Sequence, residues 1–318
     1  MSKSSLGRGL KSMSNLSNDS PDLSSFVSSN DDYLVDSPRI AVLWMIFGSI
    51  SFGTMNALVK WTSLNADVWM IILIRSAVIA FLAAIFAVTN GINLKPNDPK
   101  TMFMRCFVGL IAMILYFSAL ARIPIGQAVT LQYTSPLFVA LLSGRIIKEK
   151  VSSSVLFLLL IAFLGIILVV SPSTENIKPD ALLALGSGFF AALAYIYVRK
   201  LRLTDSPTSV VFWFAFFSII GSFVQAVPDI SSLSWEIMAA LIGIGLGAGG
   251  GQIGITMAYH KANAAWVSAF SYLTVIVATF YGFIIFEETL TITNWIGGIL
   301  IVCSGIALVF LAPPINKE

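Results

Sequence analysis

Charge is scarce along this chain. Only 11% of its 318 residues are Asp, Glu, Lys or Arg, against about 25% in an ordinary soluble domain, so a soluble globular fold is excluded. The net charge of +3 is too small to argue for nucleic acid, and no such partner is expected. Cysteine is almost missing. Cys106 and Cys303 both fall in apolar stretches and read as packing residues, not as a disulfide. The one histidine, His260, reads as part of a loop on the cytoplasmic side and cannot build a metal site alone. No metal or cofactor is expected. HExxH and GxSxG patterns are lacking, as is a phosphate-binding P-loop, which argues against an intramembrane enzyme and against ATP as the driver. Acidic residues are also missing from the depths of the apolar runs: Glu149, Glu287 and Glu288 stand at run ends. That weighs against a buried carboxylate as proton carrier.

What is abundant is apolar sequence. Hydrophobic residues make up 57% and the mean hydropathy is +0.88. After Pro38 the apolar runs follow one another as spans 40–59, 68–88, 102–121, 126–147, 154–171, 181–198, 209–227, 235–258, 264–286 and 293–312. A hydrocarbon core of about 30 Å takes about 20 helical residues. The runs are too long for the ~10-residue alternating strands of a barrel. The expectation is an all-α polytopic membrane protein with ten transmembrane helices. Residues 1–38, with "SMSNLSNDSPDLSSFVSSNDD", lack core-forming residues and read as a disordered cytoplasmic tail. Charged, apolar and cleavage regions do not follow one another at the N-terminus, so the first span is expected to act as an uncleaved targeting signal.

Lysine and arginine set the orientation. With the N-terminus inside, only Lys60, Arg122 and Lys178 fall outside and Arg75 within a span. The rest of the 19, Arg105 among them, fall in inside segments. By the positive-inside rule both termini are cytoplasmic, including residues 313–318.

The chain also repeats itself. "ARIPIGQAVTLQYTSPLFVALLSGRIIKEKVS" (121–152) aligns without a gap on "HKANAAWVSAFSYLTVIVATFYGFIIFEETLT" (260–291), 139 residues on. Glu149 meets Glu288, and Ser152 meets Thr291, each suited to N-capping the next helix. Two units of five spans follow, and because five is odd they are inverted. Inverted repeats about a midplane site mark transporters. The two halves, the arginine early in the second span and the Glu-x-x-Ser/Thr ends together resemble the EamA-type permeases of the drug/metabolite transporter superfamily. The resemblance covers about 40–312, with repeats at 39–172 and 179–312. It implies a central cavity, an inner or plasma membrane location, and export or uptake of a small metabolite such as an amino acid or S-adenosylmethionine. The chain would act as monomer or homodimer by alternating access. The alternative class is an intramembrane enzyme or a membrane sensor.

Polar residues inside the spans are the candidate substrate contacts. A lone arginine in lipid costs about 2.5–3.5 kcal/mol on insertion scales. Arg75 lies roughly 5 Å outward of its span's midpoint, Asn56 about 9 Å and Gln132 and Tyr133 about 6 Å. The shared depth places them in one pocket if their faces converge, and in separate interhelical hydrogen bonds if not. An offset near 140 carries Arg75 to Ala215, so it has no counterpart in the second half. It either pairs with a substrate carboxylate or caps backbone carbonyls. Gln252 and Tyr272, with Ser271, form the opposite wall. Pro136 is expected to kink the fourth span and to free the Gln132 carbonyl. Lys60, Glu149 and Glu288 are rim or gating candidates. Trp266 reads as an interfacial anchor. "GLGAGGGQIG" (245–254) matches GxGxxG, but it lies in an apolar span with no preceding strand and serves helix packing.

Overall fold

The computed structural model describes residues 36–62, 66–120, 122, 125–170, 180–226, 234–287 and 291–311. The tail up to Val35, Glu288 and residues 312–318 lie outside them. All regular structure among the described residues is helical: α1 Pro38–Thr62, α2 Val68–Thr89, α3 Pro99–Leu120, α4 Ile125–Gln132, α5 Ser135–Ile146, α6 Ser153–Val170, α7 Ala181–Leu201, α8 Pro207–Ala226, α9 Trp235–Lys261, α10 Ala264–Ser268, a 3-10 turn Ala269–Tyr272, α11 Leu273–Phe286 and α12 Ile292–Phe310. Among the described residues nine segments are long and apolar enough to cross a membrane, with α10, the turn and α11 counting as one. The tenth crossing is the pair α4–α5.

Short-range chemistry fixes the helix starts. Pro38 opens α1 where a missing amide proton costs nothing, and the Ser37 carbonyl accepts from Ala41 N at 2.9 Å. Asp67 caps α2 by accepting from Trp69 N at 3.1 Å. Asp98 precedes α3 and accepts from Thr101 N at 3.0 Å. Hydrogen bonds from the Thr101 hydroxyl and amide hold its carboxyl below the usual carboxylate range. Ser152 accepts from Val155 N at 3.2 Å, and Thr291 N-caps α12 with its amide donating to Asn294 Oδ1 at 2.6 Å. Both repeat-related N-caps are therefore in place.

The helices pair as a two-fold arrangement requires. The most extensive pairings are α1 with α9, α3 with α7, α6 with α12 and α2 with α8. A shift of 139 residues turns the first pair into the second and each of the last two into itself. The register is visible at single atoms. Ser49 Oγ donates to the Phe270 carbonyl at 3.5 Å. Its counterpart Gly188 lies so close to the Leu131 carbonyl, the counterpart of Phe270, that a Cβ there would sit at 3.0 Å. Lys148 (φ 58°) and Glu287 (φ 55°), the two described non-glycine residues in the left-handed region, are also 139 apart. Gly247, Gly250, Gly251 and Gly254 pack α9 on α1, where a Cβ on Gly254 would lie 2.6 Å from Gly48 Cα and 2.8 Å from the Trp44 carbonyl oxygen, while Gly245 packs α9 on Val78 of α2. Outward faces are apolar, as with Leu43, Phe81, Leu164 and Val224, and suit lipid.

Candidate functional site

Both repeats interrupt their fourth helix at the same place. In the first, α4 ends at Gln132 and α5 begins at Ser135 with Pro136 in its first turn. The span is thus broken in two, where a kink was expected. In the second, the 3-10 turn ends at Tyr272, and 272 is 139 beyond 133. The rings of Tyr133 and Tyr272 meet with centroids 6.3 Å apart. Beside the two breaks lies a cavity of about 150 Å³.

The cavity is built mostly from counterparts. Eight pairs of its lining residues stand 139 apart: Phe52 and Ala191, Met55 and Ala194, Asn56 and Tyr195, Arg75 and Phe214, Met113 and Gln252, Tyr116 and Ile255, Gln132 and Ser271, Ser135 and Thr274. The cavity therefore straddles the axis relating the repeats. The remaining lining residues, Arg105, Gly109, Ala112, Phe117 and Tyr133, all belong to the first repeat.

Among the described residues two arginines and no carboxylate line it. Arg75 on α2 is 5% exposed. Its Nη1 donates to Met113 Sδ at 3.2 Å, a weak acceptor, and its Nε has no partner among the described residues. Arg105 on α3 is 2% exposed. Its guanidinium lies 4.1 Å from the Phe214 ring centroid, and its Nη2 donates to Gln252 Oε1 at 3.4 Å. Its Nε is likewise without a partner among the described residues. Gly109, one turn on, leaves room for this group, since a Cβ there would collide with the guanidinium and lie 2.8 Å from Phe214 Cε2.

Of the residues expected to contact substrate, Asn56, Arg75, Gln132, Tyr133 and Gln252 come together in this cavity. Tyr272 does not line it. It is fully buried behind Tyr133, and its hydroxyl has no partner among the described residues. Gln132 is partly committed: Ser187 Oγ donates to its Oε1, and its backbone carbonyl faces Gly188, where a Cβ would sit at 3.0 Å. The carbonyl freed by the break thus turns to α7. Arg105, expected among the charges of the inside segments although span 102–121 includes it, is part of the cavity wall: α3 starts at Pro99 and carries it about 9 Å into the span. Trp266 is 2% exposed and donates from Nε1 to the Leu308 carbonyl at 2.8 Å, so it is a core residue and not an interfacial anchor. His260 lies buried in the last turn of α9, not in a loop.

At the end of the bundle that carries Asp36 a charged network ties several elements together. Glu149, between α5 and α6, accepts from Arg199 Nε at 2.6 Å and from Ala264 N at 2.8 Å. Arg199 Nη2 also donates to Asp36 Oδ1 at 3.0 Å, and its Nη1 donates to the carbonyls of Tyr259 and His260 at 3.3 and 3.2 Å. Arg202 joins it at Asp36. The approaches to α1, α6 and α10 and the ends of α7 and α9 thus meet at one place. In sequence Lys60 stands 139 before Arg199. It is half-buried in the last turn of α1. Glu288, 139 beyond Glu149, lies outside the described residues.

The profile of the EamA-like transporter family matches residues 39–171 and again 179–311. The chain belongs to that family. It is 28% identical over 277 residues to the pseudopaline exporter CntI of Pseudomonas aeruginosa strain UCBPP-PA14, covering 86% of this chain and 98% of that protein. It is 27% identical over 273 residues to a riboflavin transporter of Vibrio cholerae, covering 84% and 92%. With an S-adenosylmethionine uptake transporter of Rickettsia bellii it shares 19% over 275 residues, covering 85% and 94%. A crystal structure of a protein not further described shares the fold, with a TM-score of 0.75 at 17% identity over 86% of this chain and 99% of that one.

Proposed function

We propose that this multi-pass member of a family of small-metabolite transporters is a secondary carrier working by alternating access, with the cavity at the repeat interface as its substrate seat. The observation that carries the reading is the set of eight lining pairs related by the repeat. A site on the axis is approached by both inverted units in the same way. Rocking one unit against the other can then open it to either side at similar energy. Asn56, Arg75, Gln132, Tyr133 and Gln252 supply the polar contacts, with Tyr272 supporting Tyr133 from behind. The Glu149–Arg199–Asp36 network holds one end shut while the other is open. By the lysine and arginine asymmetry that end and both termini face the cytoplasm, and the membrane is the inner or plasma membrane. The substrate is a small polar metabolite such as an amino acid. S-adenosylmethionine and related compounds belong to the range because one relative of this chain is named for S-adenosylmethionine uptake.

Counterflow in proteoliposomes tests this. Vesicles loaded with unlabelled amino acids or S-adenosylmethionine should accumulate the matching labelled compound, recovered chemically unchanged. Accumulation of an altered product, or uptake identical in protein-free vesicles for every compound tried, would overturn it.

A further inference from the structure

We propose that the cavity is built for a compact organic dianion, a dicarboxylate or a phosphate monoester with an apolar or aromatic part, held by Arg75 and Arg105 together. The proposal rests on the transport reading only in taking the cavity as the substrate's seat.

The two guanidinium groups are buried, and among the described residues their Nε atoms are unpartnered and no acidic side chain lines the cavity. What they do touch is weak: a thioether sulfur for Arg75, and for Arg105 an aromatic ring and a 3.4 Å amide contact. Buried cations kept without counter-charge are matched when an anion arrives, and a planar guanidinium is shaped for the paired oxygens of a carboxylate or phosphate.

Their placement says why there are two. The residue 139 beyond Arg75 is Phe214, and the residue 139 beyond Met113 is Gln252. Arg75 touches Met113 in the first repeat, and the guanidinium of Arg105 touches both Phe214 and Gln252 in the second. Arg105 therefore brings a cation to the place in the second repeat that the Arg75 guanidinium holds in the first. It does so from a helix of the first repeat, with no arginine at the repeat-related position. The cavity thus presents one cation on each side of its axis. A doubly charged ligand neutralises both, whereas a zwitterion or monoanion leaves at least one uncompensated. A ligand bridging the two also joins a group anchored on the first repeat to one seated on the second. Phe52, Tyr116 and Phe214 add aromatic surface to the walls, and about 150 Å³ accommodates a group of roughly benzene size. Within the range considered above, net-cationic members are disfavoured.

The test uses the full chain in detergent and five ring-matched probes: phenyl phosphate and phenylsuccinate as dianions, benzoate as monoanion, phenylalanine as zwitterion and phenethylammonium as cation. Calorimetric titration should give the dianions at least tenfold tighter binding than benzoate or phenylalanine, and no binding of the cation. Arg75→Gln and Arg105→Gln should each weaken the dianions at least tenfold while changing benzoate by less than threefold, so that the preference collapses. Wild-type protein that binds benzoate, phenylalanine or phenethylammonium as tightly as the dianions overturns the proposal without any variant having to fold. So does an Arg105→Gln protein that keeps the full preference. Counterflow separates the two readings. Dianions that bind as stated while no compound is moved uphold this site although the transport reading fails. Phenylalanine transport indifferent to excess phenyl phosphate sinks the dianion site and leaves the transport reading standing.

Discussion

Glu149→Gln is the substitution for which the structure gives the most definite expectation. The carboxylate uses one oxygen for Arg199 Nε at 2.6 Å and the other for the Ala264 amide at 2.8 Å. A glutamine has one acceptor oxygen, and its second head atom is a donor. Whichever way the amide turns, either the Arg199 Nε or the Ala264 N–H is left facing another donor. Arg199 is not abandoned, because Asp36 and two backbone carbonyls remain bound to it. The loss is therefore one charge-assisted hydrogen bond, worth about 1.5–3 kcal/mol. It falls on the conformation with this end closed, since in an open end either side chain meets water. The closed-to-open ratio should drop by about 10- to 150-fold. The assay is maleimide labelling of Ser135→Cys, a cavity residue, in a Cys303→Ser background that removes the exposed native thiol. With the impermeant reagent added on the side of the chain termini, Glu149→Gln should speed labelling by tenfold or more. Lys150→Gln, at an exposed neighbour, should not. A labelling rate within twofold of the parent would refute the assignment of this network to closure.

Gly254→Ala should lower the melting temperature, by about 1–3 kcal/mol of overpacking, because its Cβ meets the Gly48 backbone; Gly298→Ala, with nothing within 4 Å of its Cβ, is the neutral control. A reporter fused after Glu318 should be cytoplasmic, and a periplasmic or extracellular signal would invert the proposed topology. Removing residues 1–35 should leave counterflow intact because the contacts of Asp36 with Arg199 and Arg202 survive. A severe loss in protein that still inserts would give the tail a role in transport.

The spans were legible because hydrophobic length is a one-dimensional property, and caps such as Ser152 and Thr291 mark the ends locally. The repeat was legible where polar markers recur, around 121–152 and 260–291. Depth brought Asn56, Arg75, Gln132 and Tyr133 to one level, and their faces do converge on one cavity. Direction was not legible. Tyr272, the counterpart of Tyr133 in the repeat, packs against its ring and still does not line the cavity. Trp266 sits near the end of its span, where an aromatic ring is ambiguous until its neighbours are known.

Arg105 was hidden for two separate reasons, both physical. A cation in the first turns of a span is counted with the inside charges, because the positive-inside rule weighs the side of the membrane and not the direction a side chain takes. The second reason is register. An offset near 140 sets Arg75 against Ala215, whereas 139 sets it against Phe214. One residue on a helix is a rotation of about 100°, enough to exchange a residue on the cavity wall for one turned away. In the correct register Phe214 is the ring that seats Arg105. The apparent lack of a partner for Arg75 follows from comparing residue identities at equivalent positions. An inverted repeat conserves places, and a long side chain can fill a place from a neighbouring helix. The Arg105 stem does so from α3, with its head on α8 and α9. Charge symmetry about the axis is thereby kept although sequence symmetry is lost, which is why the second cation emerges only when the helices are assembled.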